Sequence, residues 1–251
     1  AAVPAPVSST DDLLVKSPLE GESMATPLAI RSVPEDLMIA YASRTGTRRN
    51  LAALRQAGWR LLVSAVGPLR TEGFSYALDN GAWSAFRQGT TFDDVKFSRA
   101  LQALGQGADW VALPDIVMGG EASLMLSLQW INRVLDAAPY ALLPLQNGMV
   151  VEEIAEVLRS RLGLFVGGDT AWKEATMARW GALGRKAGCL VHVGRVNTAR
   201  RIFLCASAGV TSFDGSSVSR YAVTLPRLEA ARRQLPLFLE GEAYATTAHA
   251  S

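Results

Sequence analysis

The stretch GVTSFDGSSVSR, residues 209–220, decides between fold classes for this chain. Residues 210–213 are apolar and β-prone, and they end on the carboxylate of Asp214, before a Gly-Ser-Ser turn and a helix start. This order predicts that Asp214 stands at the C-terminal end of a strand, which in a (β/α)8 barrel is the catalytic face. Asp before Gly is also typical of a helix cap or an Asx turn, so the stretch alone leaves both interpretations open.

The rest of the chain repeats the order of strand and helix. Buried strands are predicted over residues 37–42, 60–66, 76–79, 109–115, 140–146, 162–168, 190–194 and 210–214. Helices are predicted over residues 50–57, 92–106, 121–137, 151–161, 170–187, 198–208 and 219–234. The segment 67–75 contains Pro68 and Gly73 and is too short for a good helix.

This alternation predicts an α/β protein, a single (β/α)8 barrel over residues 24–240. Residues 1–23 are rich in Pro, Ser and Ala and are interpreted as a leader or extension, and residues 241–251 as a flexible tail. A doubly wound open sheet is the alternative. It would need a G-x-G-x-x-G loop after the first strand, where this chain has SRTGTRR.

Composition narrows the function classes. The 251 residues are 49% hydrophobic with a net charge of +2, so bulk charge does not indicate nucleic-acid binding. No run of about 18 apolar residues predicts a membrane span. Two cysteines favour a reducing, cytoplasmic location over a disulfide framework. The trio Cys189, His192 and Cys205 matches no standard zinc spacing and is better interpreted as core residues.

Polar residues recur at the predicted strand ends, where a barrel would bring them to one mouth. The groups are Asp79-Asn80-Gly81, Pro114-Asp115, Gln146-Asn147-Gly148, Gly167-Gly168-Asp169, Gly194-Arg195 and Asp214-Gly215. Turn chemistry explains any one of them, but six in succession at the same end indicate a binding site. Two carboxylates across a mouth can perform substitution at an anomeric carbon. A third carboxylate, an amide and a diglycine suit a planar heterocycle, against which Trp83, Tyr41 or Phe86 could stack.

The series LDNGAW, LPD, LPLQNG, LFVGG, HVGR and SFDG, spread over about residues 40–220, resembles in order and spacing the motifs of the tRNA-guanine transglycosylase superfamily. Members of that family are barrels that exchange guanine for a 7-deazaguanine base through a covalent enzyme–sugar intermediate. The resemblance implies these roles: Asp214 as nucleophile, Asp79 as the proton-handling group, Asp115 as reader of the purine edge, Gln146 as base-binding amide, and Gly167 and Gly168 as backbone donors. Arg195 is assigned here a pocket or phosphate role.

The departures from that family point to a particular branch. The motif LDNG stands where the family usually has Ser-Gly-Gly, and no C-x-C-x-x-C…H zinc subdomain follows Asp214. In this the chain resembles the compact DNA-directed members of bacteriophages and bacterial DNA-modification clusters. The expected partners are therefore guanine-containing DNA and a free 7-deazaguanine base, with no metal or cofactor. Phosphate contacts are expected from Arg44, Arg48, Arg49 and Arg220, with Arg200 and Arg201 as further candidates.

Other functions stay open at this point. An RNA-directed enzyme would use the same pocket, and a nucleoside or glycoside hydrolase would use Asp79 and Asp214 alone. A barrel that binds a nucleobase without chemistry is a third alternative. A homodimer is also open, because the absent helix after the second strand would expose an interface.

Overall fold

A computed structural model of the chain describes residues 37–44 and 47–234. Eight parallel strands pair in sequence order and close into a barrel, which confirms the predicted (β/α)8 fold. The strands are β1 (Ile39–Ser43), β2 (Arg60–Ser64), β3 (Tyr76–Asp79), β4 (Val111–Ala112), β5 (Ala141–Leu145), β6 (Leu162–Val166), β7 (Val191–Val193) and β8 (Ser212–Gly215). The predicted leader and tail lie outside the described residues.

Helices surround the barrel and follow nearly every strand. They are α1 (Arg48–Gln56), α2 (Ala82–Gln88), α3 (Asp94–Leu104), α4 (Gly120–Ala137), α5 (Val151–Val157), α6 (Thr170–Ala187), α7 (Ala199–Ser207), α8 (Ser217–Arg220) and α9 (Leu225–Arg233), with 3-10 turns at Gly105–Gly107 and Ala222–Thr224. Residues 65–75, between β2 and β3, contain no helix, as predicted. Within the described ranges no helix is long and apolar enough to cross a membrane.

The largest differences from the predicted helices occur in two regions, each for an identifiable reason. The helix expected over 219–234 is broken into α8, a 3-10 turn and α9, because Pro226 starts a new helix and Tyr221 is extended. The helix α2 was not predicted. It is bracketed by Gly81 and Gly89, both in the left-handed conformation, and the turn-like Asp-Asn-Gly sequence obscured its start.

The barrel interior is closed below the mouth by a small cluster of buried side chains. Tyr41 and Trp110 meet there edge to face, with ring centroids 5.3 Å apart. The Tyr41 hydroxyl donates to Asp109 Oδ2 at 2.9 Å, and Arg60 forms an ion pair with the same carboxylate at 2.8 Å. Arg60 begins β2 and Asp109 precedes β4, so Tyr41 points to the N-terminal end of the barrel. The expectation that Tyr41 stacks on a ligand at the mouth is wrong.

Candidate active site

A cavity of about 410 Å³ opens where the C-terminal ends of the strands meet. This volume is typical of a small-molecule site. The strand-end residues that line it are Asp79, Asn80, Asp115, Gln146, Gly167, Gly168, Gly194, Arg195 and Asp214. Arg44, Trp83 and Arg220 line it as well. The structure therefore brings all the residues predicted for chemistry and base binding into one cavity.

One wall of the cavity is a hydrogen-bonded network around Asp115. Its Oδ1 accepts a 2.7 Å hydrogen bond from Asn80 Nδ2, and its Oδ2 accepts one of 2.6 Å from Gln146 Nε2. Burial raises the pKa of Asp115 to about 6, and these two amide donors oppose the rise. The carboxylate is therefore predominantly ionised near neutral pH, and its orientation is fixed by two neutral donors.

Gln146 connects that carboxylate to the backbone of the next strand ends. Its Oε1 accepts from the N–H of Gly168 at 3.1 Å and from the N–H of Met118 at 2.9 Å. A Cβ on Gly167 would lie 2.7 Å from Gln146 Nε2, so only glycine fits beside this amide. Gly168 has φ of +64°, and a Cβ there would lie 2.7 Å from the Trp172 ring. Close packing against Gln146 thus requires glycine at position 167, and the left-handed backbone and the Trp172 ring require it at position 168.

Asp79 faces the same cavity from the end of β3. It is half-buried because it lines open space, but protein surrounds the rest of the carboxyl group. Burial, followed by the negative charges of Asp214 and Asp115, raises its pKa to about 7. The Gly81 N–H donates to Asp79 Oδ2 at 3.1 Å and opposes the rise. A carboxyl group with this pKa can both give and take a proton near neutral pH.

Asp214 is buried at the end of β8, with its side chain on the cavity. Its Oδ1 lies 3.2 Å from Nε2 of His192, and the other ring nitrogen of His192 lies 2.9 Å from Oγ of Ser212. Burial lowers the pKa of His192, so the ring is neutral at physiological pH. His192 was assigned to the core from the sequence, and its contact with Asp214 was missed.

Arg195 forms a second wall. Its guanidinium donates to the carbonyl oxygen of Gly168, and its Cζ lies 4.0 Å from the centre of the Trp83 ring. Trp83 in turn stacks on Phe86, with centroids 5.6 Å apart. The backbone of Arg195 is left-handed, with φ of +60°, which a non-glycine residue rarely adopts. These contacts hold the Arg195 side chain at the cavity, and its predicted role in the pocket or at a phosphate stays a prediction.

Lys173 is a buried cation that sequence reasoning missed. It lies on α6 and is only 4% exposed, and its Nζ donates to the carbonyl oxygen of Gly194 at 2.5 Å. Burial lowers its pKa to about 8, with Arg195 contributing and Asp214 opposing. The sequence did contain a clue, because Lys173, Met177 and Trp180 share one helical face and are all buried.

The arginines divide into three groups. Arg44 and Arg220 line the cavity, and Arg44 also donates to Glu72 at 3.0 Å. Arg48 and Arg49 are exposed at the start of α1, outside the cavity lining. The remaining pair, Arg200 and Arg201, bind Glu174 at 2.6 Å and 2.9 Å, so their charges are partly neutralised.

Asp169 follows the ordinary turn interpretation. Its Oδ1 accepts from the Trp172 N–H at 2.9 Å and caps α6, and its Oδ2 accepts from Asn147 at 2.5 Å. In the described part of the chain, no group of three or more His, Cys, Asp or Glu side chains could hold a metal ion. Of the trio Cys189, His192 and Cys205, the last two are buried and Cys189 is half-buried.

Comparisons with known proteins add no assignment. No protein-family model matches the chain, and no curated protein matches it.

Proposed function

We propose that the protein is a base-exchange glycosyltransferase that replaces guanine in DNA with a 7-deazaguanine derivative, through a covalent intermediate between Asp214 and the sugar. The observation that carries the proposal is the placement of Asp79 and Asp214 on one cavity whose wall is the Asp115–Gln146 network. When the surroundings of two carboxyl groups differ, one can act as the nucleophile while the other transfers protons.

The first half-reaction breaks the bond from the sugar to guanine. Oδ2 of Asp214 attacks C1′, the C1′–N9 bond breaks, and the electron pair leaves with the base, which receives a proton from Asp79. In the second half-reaction the incoming base loses its N9 proton to the Asp79 carboxylate. Its nitrogen attacks C1′, and Asp214 departs as a carboxylate. A pKa of about 7 suits Asp79 to both steps.

Base recognition is proposed for Asp115, with support from its two amide neighbours. An ionised carboxylate has about four lone-pair sites, and Asn80 and Gln146 occupy only one on each oxygen. The remaining sites suit the adjacent N1–H and amino group of guanine or of a 7-deazaguanine with the same edge. Trp83 lines the cavity and offers a ring face for stacking.

The choice of DNA rests on the resemblance to compact members without a zinc subdomain. A guanine in duplex DNA must leave the stack, which costs a few kcal/mol that the pocket contacts offset. Arg44 and Arg220 line the cavity, which supports a proposed role in contacting the flanking phosphates. The cytoplasmic location expected from the sequence belongs to the same proposal, and RNA remains the alternative polymer.

Radiolabelled guanine, offered with duplex DNA, single-stranded DNA and tRNA in parallel, tests this function. The proposal predicts that label enters DNA and that the Asp214→Asn variant incorporates none. Label in tRNA alone would identify RNA as the substrate polymer. Abasic sites without incorporation would identify a hydrolase. If neither labelled polymer nor abasic sites formed, the remaining interpretation would be a barrel that only binds a base.

A further inference from the structure

Behind the cavity, a buried chain of three polar side chains ends at the proposed nucleophile, Asp214. His192 on β7 lies between Ser212 and Asp214 on β8, at 2.9 Å and 3.2 Å. Ser212 and Asp214 are two residues apart and so share one face of their strand, and His192 pairs with Ser212 in the sheet register. The geometry of neighbouring strands therefore aims the imidazole at the carboxylate.

The surroundings of His192 exclude water. Its side chain is fully buried, and three aromatic rings contact it: Trp110 at 4.6 Å, Phe165 at 4.7 Å and Tyr41 at 5.7 Å between centroids. Asp214 from β8 and Lys173 from α6 are the charged groups that act on it. A ring in this environment carries a single N–H, so its tautomer decides what Asp214 receives.

Only one tautomer satisfies all three groups. With the proton on Nε2, the ring donates to Asp214 Oδ1, and Nδ1 accepts from the Ser212 hydroxyl. With the proton on Nδ1, the lone pair of Nε2 would face a carboxylate oxygen, which has no proton to share. The Asp214 carboxylate, which can only accept, thus selects the Nε2–H form, and the Ser212 hydroxyl satisfies Nδ1 by donating to it.

We infer that His192 is a positioning residue for Asp214: it holds Oδ1 from inside the barrel and so presents Oδ2 to the cavity, while the Ser212 hydroxyl donates to its Nδ1 and holds the ring in place. This inference rests on the proposed function of Asp214 as nucleophile. His192 gains or loses no proton during the reaction. In the covalent intermediate Oδ1 becomes the carbonyl oxygen of the ester, and the same N–H continues to hold it.

The tautomer is measured first, on the DNA-free protein, by a long-range ¹H–¹⁵N NMR spectrum of the histidine rings, with His192→Gln identifying the His192 signals. We expect Nε2 protonated and Nδ1 unprotonated. A ring protonated on Nδ1, or on both nitrogens at neutral pH, would overturn the inference. Because no substrate is present, this result does not depend on whether base exchange occurs.

The rate of covalent trapping in a single turnover supplies the second readout. Loss of a partner that orients a metal-binding side chain typically costs about 10–100-fold, and by analogy we expect a loss of comparable size in His192→Phe, with DNA affinity within about twofold. His192→Gln keeps a donor near Nε2 and should recover most of the rate, and Ser212→Ala should lose less than His192→Phe. Wild-type trapping in folded His192→Phe would contradict the inference. If His192→Phe fails to fold, the ordering wild type, His192→Gln, Ser212→Ala decides, and equal rates in all three would overturn it.

Discussion

Gln146 Nε2 donates a 2.6 Å hydrogen bond to Asp115 Oδ2, while Gln146 Oε1 accepts from the backbone of the Gly167–Gly168 pair through the Gly168 N–H. One amide thus fixes the orientation of a buried carboxylate and of the neighbouring strand end. The two residues are 31 positions apart and come from adjacent strands. The proposed base pocket is therefore prearranged by the barrel before any ligand arrives.

Asp115→Asn should weaken the use of the incoming base more than the binding of DNA. The substitution replaces a charged acceptor by an amide that presents donors to the N–H groups of the base. Charge-assisted hydrogen bonds contribute about 1.5–3 kcal/mol, which corresponds to roughly 10–100-fold in KM for the base. Steady-state exchange kinetics and DNA titration measure the two effects. Equal losses in both would remove Asp115 from base recognition.

The pH dependence of the two half-reactions should have opposite signs. Glycosidic cleavage needs protonated Asp79, so single-turnover cleavage should fall as the pH rises through about 7, and incorporation of the incoming base should rise over the same range. Rapid-quench kinetics on each half-reaction provides the measurement. Asp79→Asn should remove the dependence along with most of the rate, and a retained midpoint near 7 in that variant would assign the titration to another group.

The same carboxyl group should make stability depend on pH. Its pKa in the folded protein, about 7, exceeds the ordinary aspartate value of 3.8, so the folded state binds more protons between these values and stability falls as the pH rises from about 4 to 7. In Asp79→Asn the decline in Tm over that range should be shallower. Asp115, with a pKa of about 6, contributes in the same direction, so the decline should not vanish. Parallel curves for wild type and variant would contradict the assignment.

Gly168→Ala should cost more stability and base affinity than Gly148→Ala. Both glycines are left-handed, with φ of +64° and +89°, so both substitutions strain the backbone. A Cβ at position 168 also meets the Trp172 ring and Asn147 Oδ1 at 2.7 Å, whereas one at position 148 meets nothing within 4 Å. Thermal melts and base-binding measurements on the two variants separate the cost of backbone strain, which both share, from the cost of packing, which only Gly168→Ala has. Equal losses in the two variants would show that the close packing at Gly168 is unimportant.

The arginines should differ in their contribution to DNA binding. Arg220→Ala should weaken binding and reduce the salt dependence by about one phosphate contact, because Arg220 lies at the cavity. The matched control is Arg200→Ala, since Arg200 is equally a surface arginine but binds Glu174 at 2.6 Å. Its salt slope should stay unchanged. Fluorescence anisotropy at several salt concentrations measures both, and identical slopes in all proteins would place the DNA elsewhere.

The sequence predicted the barrel because β-strands buried on both faces produce continuous apolar runs, and these recur eight times. The strand Tyr76–Asp79 and the helix Thr170–Ala187 have the predicted bounds. The strand β4 is reduced to Val111–Ala112, where residues 109–115 were predicted. Hydrogen-bond pairing, which an apolar run does not report, sets its length.

Residues that act through distant contacts were harder to predict. His192 and Asp214 are 22 positions apart, and their contact depends on the register between β7 and β8. From the sequence alone, a histidine between two valines is therefore interpreted as a core residue, because its contact with Asp214 is visible only once the strand register is known. Lys173 was similarly hard to predict, because its partner, the Gly194 carbonyl, is 21 positions away at the end of another element. The strand-end carboxylates were predictable because parallel strands all end on one face.

The proposed role of Asp214 as nucleophile is tested most simply by covalent trapping of the protein on guanine-containing DNA in the absence of an incoming base, followed by peptide mapping of the cross-link. We expect one adduct, on the peptide that contains Asp214. The Asp214→Asn variant should form no adduct, although it still folds and binds DNA. An adduct on another residue, or undiminished trapping in Asp214→Asn, would contradict the claim that Asp214 is the nucleophile.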